Sequence, residues 1–210
     1  KAYAVGMGPF PDGVYRAQFP YLYRKPEGMT DKEYMDECVK SVYDVFENCS
    51  PAEYVAAIVM EPLQGEGGFI PAPIEFVKAV RKICDEKGIL LIADEVQSGF
   101  GRTGKLFASE YWKENGCAPD IIATAKSIAG GVPLSAVIAS KEVMDAVPGG
   151  TIGGTYGGNA LACAAGLEVL KLMDEGGLVK RSQEIGKKVM AAFNEMKEKY
   201  EVVGDVRGLG

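Results

Sequence analysis

The chain of 210 residues contains no histidine. Histidine is the usual general acid or base near neutral pH, and it belongs to the Ser-His-Asp triad and to nearly every catalytic zinc site. Its absence therefore excludes a histidine triad and argues strongly against a catalytic zinc centre. Proton transfer in this chain has to use lysine, aspartate, glutamate, tyrosine or cysteine.

Excess positive charge and long apolar runs are also missing. The chain has 23 Lys and Arg against 29 Asp and Glu, a formal net charge of −6, so we expect no nucleic-acid partner. Runs such as VAAIVM and GILLIA are far shorter than the roughly 20 residues of a membrane span, and no signal peptide opens the chain. The five cysteines are scattered and never in C-x-x-C spacing. We expect a cytoplasmic protein with reduced, buried thiols and no metal site.

Short apolar segments alternate with amphipathic segments along most of the chain. The predicted strands are 13–19, 53–60, 89–93, 120–125 and 134–139. The predicted helices are 31–48, 73–87, 105–115, 141–146, 159–174 and 178–199. This alternation predicts an α/β fold, with a mostly parallel sheet sandwiched by helices. The charged last helix predicts a division into residues 1–170, part of a large domain, and 171–210, a connecting helix that begins a second domain.

Ionisable residues follow three of the apolar strands. Glu61 comes after AAIVM, Asp94 after LLIA and Lys126 after IIATA. In an open α/β sheet, ligands bind at the carboxyl ends of the strands. We therefore expect these three side chains to lie around the ligand-binding site.

The segment GFGRTG (99–104) matches the G-x-G-x-x-G pattern of dinucleotide-binding domains. That pattern needs glycines tight against the strand end, a helix opening on them, and an acid about 20 residues later. Here DEVQS separates the strand from the first glycine, and Asp120 precedes its strand when it should follow it. A glycine-rich turn with unusual backbone angles explains the pattern better.

Lys126 lies between two predicted strands in the segment AKSIAGGVPLSAV. A lone lysine at a strand end is usually a surface residue. In a cleft, however, desolvation favours the neutral amine, which forms a Schiff base with a carbonyl compound. Two other features favour a cleft. Asp94 stands at another strand end, and the segment GGTYGGN (153–159) is rich in small residues and in backbone N–H donors. In the plainer interpretation, Asp94 is a helix N-cap.

Four segments together resemble the subgroup-III, or ω-amino-acid, aminotransferases. They are EPLQGEGGF (61–69), LLIADEVQSGFGRTGKLFASE (90–110), DIIATAKSIAGGVPLSAV (120–137) and GGTYGGNALACAAGLEVL (153–170). The resemblance implies the large domain of the aspartate-aminotransferase fold (PLP fold type I) and the cofactor pyridoxal 5'-phosphate. VYRAQFPYLYR (14–24) and the insertion 25–48 most resemble the 4-aminobutyrate branch.

The resemblance also implies roles at the cofactor. Lys126 would bind the cofactor covalently and then act as the general base, and Asp94 would pair with the pyridine nitrogen. Val96 would pack on one face of the ring, and Gln97 would reach the side that carries the 3-hydroxyl. The neighbouring Glu95 is expected to make a structural hydrogen bond instead.

Further roles concern the substrate and a second subunit. Thr155 would bind the phosphate of the neighbouring subunit's cofactor, which implies a homodimer with shared active sites. Glu61 and Glu66 would lie on the substrate side, Glu66 pairing with an arginine beyond Gly210. The substrates implied are an amino acid such as 4-aminobutyrate and a 2-oxo acid such as 2-oxoglutarate.

Several alternatives stay open at this point. Within the same fold they are an acetylornithine or ornithine aminotransferase and an amino-acid racemase. From other classes they are a dinucleotide-binding oxidoreductase domain and a non-catalytic dimerisation core. The start without methionine and the end in DVRGLG further predict that the chain is the central part of a longer enzyme.

Overall fold

The structure is a computed structural model that describes residues 4–151 and 153–210. The helices are α1 (Asp31–Asn48), α2 (Ile74–Lys87), α3 (Glu110–Lys113), α4 (Lys141–Asp145), α5 (Ala160–Glu175) and α6 (Leu178–Lys199). The strands are β1 (Ala57–Met60), β2 (Leu63–Gln64), β3 (Ile70–Pro71), β4 (Leu90–Asp94), β5 (Ile121–Thr124) and β6 (Ala136–Ala139). Short 3-10 turns span Leu22–Arg24, Ala52–Tyr54 and Lys126–Ala129.

The main sheet has four strands in the order β1-β4-β5-β6. The pairs β1–β4 and β4–β5 are parallel, whereas β6 runs antiparallel to β5. Strands β2 and β3 form a separate antiparallel hairpin. The predicted α/β fold with a mostly parallel sheet is therefore confirmed, and the direction of β6 is a detail that the apolar pattern did not predict.

The main core lies between the sheet and helices α1 and α2. Its fully buried members include Cys38 on α1, Val77 and Val80 on α2, and Leu91 on β4. Successive strand residues point to opposite faces of a sheet, so Ile92, next to the buried Leu91, points away from this core. Its partner on β1, Val59, lies on the same outer face and is 61% exposed. The second face of the sheet, on which Asp94 also lies, is the more open one.

Local signals explain the helix ends. The Thr30 hydroxyl accepts a hydrogen bond from the backbone N–H of Glu33, while the Glu33 carboxylate accepts one from the N–H of Thr30, which is a capping box. Helix α2 ends at Gly88, whose φ of 68° lies in the left-handed region that favours glycine. These two helices begin and end within one residue of their predicted bounds.

Other expectations were wrong or shifted. The segment 13–19 forms no strand, and β1 begins at Ala57, after a 3-10 turn, and not at residue 53. The helix expected over 105–115 is reduced to α3, because the N–H groups of Ala108 and Ser109 bond to the Glu95 carboxylate instead of building a helix. The hairpin β2–β3 was not predicted at all.

The cysteines also differ from expectation. Cys38, Cys84 and Cys117 are free and buried, but Cys49 and Cys163 are exposed. Burial raises the pKa of Cys84 to about 11, which keeps that thiol protonated and unreactive at neutral pH. The expectation of buried thiols thus holds for only three of the five.

Candidate active site

Parallel pairing brings the predicted strand-end residues to one edge of the sheet. Asp94, the last residue of β4, is paired in register with Ala123 of β5, and Lys126 follows three residues later in the chain. Glu61 directly follows Met60, which is paired with Ala93. The sheet register therefore gathers Glu61, Asp94 and the start of the Lys126 turn at the carboxyl edge.

Asp94 is half-buried and its carboxylate shapes the next turn. Its Oδ1 accepts a hydrogen bond of 3.0 Å from the backbone N–H of Val96. Such a bond from a residue's side chain to the backbone two residues later fixes a tight turn. This hydrogen bond holds the Asp94 carboxylate at the strand end and fixes the position of Val96 relative to it.

Lys126 has a backbone conformation that is rare outside glycine. Its φ is 43°, in the left-handed region, where a side chain costs about 1–2 kcal/mol. Its side chain is exposed, and it opens the turn Lys126–Ala129. The Arg102 guanidinium lies 3.4 Å from the Ser127 hydroxyl and supports this turn. Backbone strain of this kind is concentrated at functional sites.

Glu95 is fully buried and points away from the edge that carries Asp94. Its carboxylate accepts hydrogen bonds from the Ser98 hydroxyl at 2.6 Å and from the N–H groups of Ala108 and Ser109 at 3.1 and 2.5 Å. These donors compensate the loss of water around the charge. The predicted structural role of Glu95 is confirmed, and through it the segment that follows Asp94 is tied to the start of α3.

The glycine pattern of residues 99–104 is a self-contained turn. The N–H of Gly99 donates to the Glu95 carbonyl, that of Gly101 to the Leu106 carbonyl, and that of Gly104 to the Gly101 carbonyl, at 3.0 to 3.2 Å. No helix begins on these glycines, because the next one is the single turn α3. The N–H groups that a pyrophosphate would need are already bonded, so the structure does not support the dinucleotide-binding alternative.

The hairpin loop after β1 brings two predicted site residues together. The Glu61 Oε2 accepts a hydrogen bond of 2.9 Å from the N–H of Gly65. The Gln97 side chain lies directly on Gly65 and leaves no room there for a Cβ. Glu66, at the tip of the loop, is exposed. Glu61 and Gln97 therefore meet at Gly65, and Glu66 is one residue further on.

Thr155 lies in the segment between α4 and α5. It is exposed in a turn closed by the hydrogen bond of 3.0 Å from the N–H of Gly157 to the Gly154 carbonyl, ahead of α5. Thr155 does not follow a strand of the main sheet, unlike Glu61, Asp94 and Lys126, so strand pairing does not by itself bring it to the carboxyl edge.

Comparison with known proteins decides the family. The profile of the family described as Aminotransferase class-III matches residues 1–210. The chain belongs to the class-III aminotransferases. This bears out the resemblance drawn from the four sequence segments.

Relatives within this family are similar over the whole chain. A 5-aminovalerate aminotransferase of Pseudomonas putida is 48% identical over 99% of the chain, and a probable 4-aminobutyrate aminotransferase of Bacillus subtilis is 47% identical over 100%. A solved amine transaminase from an uncultivated Pseudomonas species, in a PLP-bound form, superimposes with a TM-score of 0.88 at 34% identity over 100% of the chain. The chain covers 47%, 48% and 48% of these proteins, about half the length of each.

Two further findings concern metal sites and membrane spans. Across residues 4–151 and 153–210, no three histidine, cysteine, aspartate or glutamate side chains are grouped so as to hold a metal ion. Over the same ranges, no helix has both the length and the apolar composition that crossing a bilayer requires.

Sequence reasoning missed one residue near the site. Arg207 lies in the last segment of the chain, yet its Nε donates a hydrogen bond of 2.9 Å to the Gly68 carbonyl in the loop that holds Glu66. The two partners are 139 positions apart. No local pattern signals such a contact, since DVRGLG reads simply as a glycine-rich end.

Proposed function

We propose that this chain carries the lysine–aspartate centre of a PLP-dependent transaminase. The reaction proposed is the transfer of an amino group from an ω-amino acid such as 4-aminobutyrate to a 2-oxo acid, with 2-oxoglutarate as the expected acceptor. The observation that carries the proposal is the register that sets Asp94 beside Ala123, three residues ahead of Lys126. The relatives named for 4-aminobutyrate and 5-aminovalerate support the substrate class.

The residues at this edge fit pyridoxal 5'-phosphate chemically. The sheet edge offers an amine at Lys126, a half-buried carboxylate at Asp94 and a side-chain amide at Gln97, which suit an aldehyde, a protonated ring nitrogen and a phenolic oxygen respectively. When bound, the cofactor supplies an electron sink for charge that develops on the substrate carbon.

Each residue at this edge would have a separate role toward the cofactor. Lys126 would hold the cofactor and afterwards carry a proton to and from the substrate carbon that bears the amino group. Asp94 would keep a proton on the ring nitrogen, since a nearby negative charge favours the protonated base. Val96 would pack against the ring, and Gln97 would orient its oxygen.

The remaining assignments concern substrate and assembly. Glu61 and Glu66 would bind on the substrate side of the loop after β1. Thr155 would contribute to the phosphate site of a second subunit, which makes the proposed active form a homodimer and accounts for the exposure of Thr155. A cytoplasmic location completes the proposal.

The test uses the full-length protein. Wild type should show a visible cofactor absorbance band and prefer 4-aminobutyrate over N-acetylornithine and ornithine as amino donor. Lys126→Ala should abolish the band and lower kcat by at least about 10⁴-fold, the scale of losing a nucleophile and base. Lys141→Ala removes an exposed lysine whose side chain pairs with its helix neighbour Asp145, and it should leave both the band and kcat unchanged.

Other outcomes identify the alternatives. Preference for N-acetylornithine or ornithine would replace the proposed donor while leaving the lysine–aspartate centre in place. Inversion of an amino acid without consumption of an oxo acid would indicate a racemase. A colourless full-length protein that takes up no pyridoxal phosphate would refute the proposal.

A further inference from the structure

The loop 65–69, which carries Glu66, is held in a strained conformation. Gly68 has a φ of 120°, and Phe69 has a φ of 53° although it is not glycine. Phe69 is also 58% exposed, so packing of its own side chain does not explain its conformation. For Phe69 such a conformation costs about 1–3 kcal/mol and persists only where the surroundings impose it, whereas glycine adopts a positive φ at little cost.

The first half of the loop has its own supports. The N–H of Gly65 is bonded to the Glu61 carboxylate, and the Gln97 side chain covers Gly65. The N–H groups of Gly68 and Phe69 donate in turn to the Gly65 carbonyl, at 3.0 and 3.2 Å. These contacts fix the start of the loop and, through the Phe69 N–H, one side of the Gly68–Phe69 peptide.

Arg207 contacts the other side of the same peptide, its carbonyl oxygen. Its Nε donates to the Gly68 carbonyl at 2.9 Å, and its Nη1 pairs with Asp205 at 2.5 Å. Its guanidinium also stacks over the Tyr21 ring, 4.7 Å from the ring centroid. A Cβ on Gly68 would lie 3.1 Å from the Arg207 Nη2, so the two residues approach closely. Three different contacts thus fix one planar group at the carbonyl of Gly68, directly before the strained Phe69.

We propose that Arg207 is a positioning residue for the substrate loop. Resting on the proposed function, this inference assigns Arg207 the task of holding Glu66 and Phe69 where an amino donor binds. The Arg207 Nε and Nη1 donate to Gly68 and Asp205, and the guanidinium stacks on the Tyr21 ring, so these contacts orient the group toward the loop. Its loss should therefore weaken substrate binding and leave the chemistry at Lys126 and Asp94 unaffected.

The experiment compares Arg207→Gln and Arg207→Lys in the full-length protein loaded with pyridoxal phosphate. Arg207→Gln should raise KM for the amino donor about 10-fold, the effect of losing one charged hydrogen bond, with kcat within about 2-fold. Arg207→Lys keeps the charge but not the planar group, and should lie between the two. Arg24→Gln, which removes an exposed arginine stacked on Tyr23, is the matched control and should change neither constant.

A second readout does not depend on activity. Amide hydrogen exchange in the cofactor-free protein should become about 10-fold faster at Gly68 and Phe69 in Arg207→Gln, while peptides from β4 keep their rates. Asp205→Asn retains the arginine but removes its carboxylate partner, and should produce a smaller change in the same direction. This variant provides the result if Arg207→Gln does not fold.

The outcomes separate this inference from the proposed function. If wild type shows no transamination, the proposed function fails, and the exchange rates still decide whether Arg207 holds the loop. Unchanged exchange at Gly68 and Phe69 would overturn the inference. A fall in kcat equal to the rise in KM, together with a lost cofactor band, would also overturn it, because Arg207 would then act on the whole active site.

Discussion

At the scale of single residues, Lys126, whose amine is proposed to do the chemistry, has an unusual backbone conformation. Its φ of 43° is tolerated by glycine at little cost but strains a residue with a side chain. The turn that follows is supported by the hydroxyl of Ser127 against Arg102. The strain therefore has a local support, and its size can be measured.

We predict that Lys126→Gly is more stable than Lys126→Ala in the cofactor-free, full-length protein. Both variants lack the amine, but glycine relieves the positive φ, which outweighs its larger unfolded-state entropy by up to about 1 kcal/mol. Chemical denaturation of the two variants side by side measures the difference. Equal midpoints, or a more stable alanine variant, would show that the strain is absent.

Glu95 supports the site from within the core. We predict that Glu95→Gln lowers the free energy of unfolding by about 2–3 kcal/mol, because the amide cannot replace a charge that accepts from two N–H groups and a hydroxyl. The control Glu198→Gln lies on the exposed end of α6 and should change stability by less than about 0.5 kcal/mol. Urea denaturation monitored by circular dichroism distinguishes the two, and similar losses in both would contradict the role given to Glu95.

At the scale of elements, the helices with a long amphipathic period were predicted best. The periods of 31–48 and 178–199 reproduced α1 and α6 residue for residue, and Gly88 marked the end of α2. The helix 105–115 failed because a side chain distant in sequence, Glu95, takes the N–H groups that a helix would have used. Local periodicity carries no information about such competition.

The capping box of α1 provides a test at this scale. Thr30→Ala removes the hydroxyl that accepts from the Glu33 N–H and should destabilise the protein by about 1 kcal/mol. Thr30→Ser keeps the acceptor and should cost only a few tenths of that. Thermal unfolding measures both, and an alanine variant as stable as wild type would mean that tertiary packing alone holds the start of α1.

For the whole molecule, the buried thiols predict sensitivity to alkali. Burial raises the pKa of Cys84 from 9.0 to about 11, and it also raises the pKa values of Cys38 and Cys117. Below pH 9 the thiols stay protonated in both folded and unfolded chains. Between pH 9 and 11 the unfolded chain loses the Cys84 proton first, so the stability that Cys84 contributes is lost as the pH rises through this window.

The corresponding measurement is the free energy of unfolding from pH 8 to 11 in wild type and Cys84→Ala. The variant should be less stable at pH 8, because it leaves a small cavity, but its stability should fall less steeply with pH. Parallel curves would show that Cys84 does not titrate differently in the two states. Other groups titrate in this range too, and taking the difference between the two proteins removes their shared contribution.

The sequence by itself determined most of the helices, the strands of the main sheet, the family and the residue types at the strand ends, because periodicity, caps and motifs are properties of neighbouring residues. Only the tertiary structure decided that β6 runs antiparallel, that Glu95 is buried while Asp94 lies on the open face, and that Gln97 covers Gly65. It alone also decided that Arg207 reaches Gly68 across 139 positions. Such contacts depend on how distant segments pack, and no local pattern encodes the partner that a side chain meets.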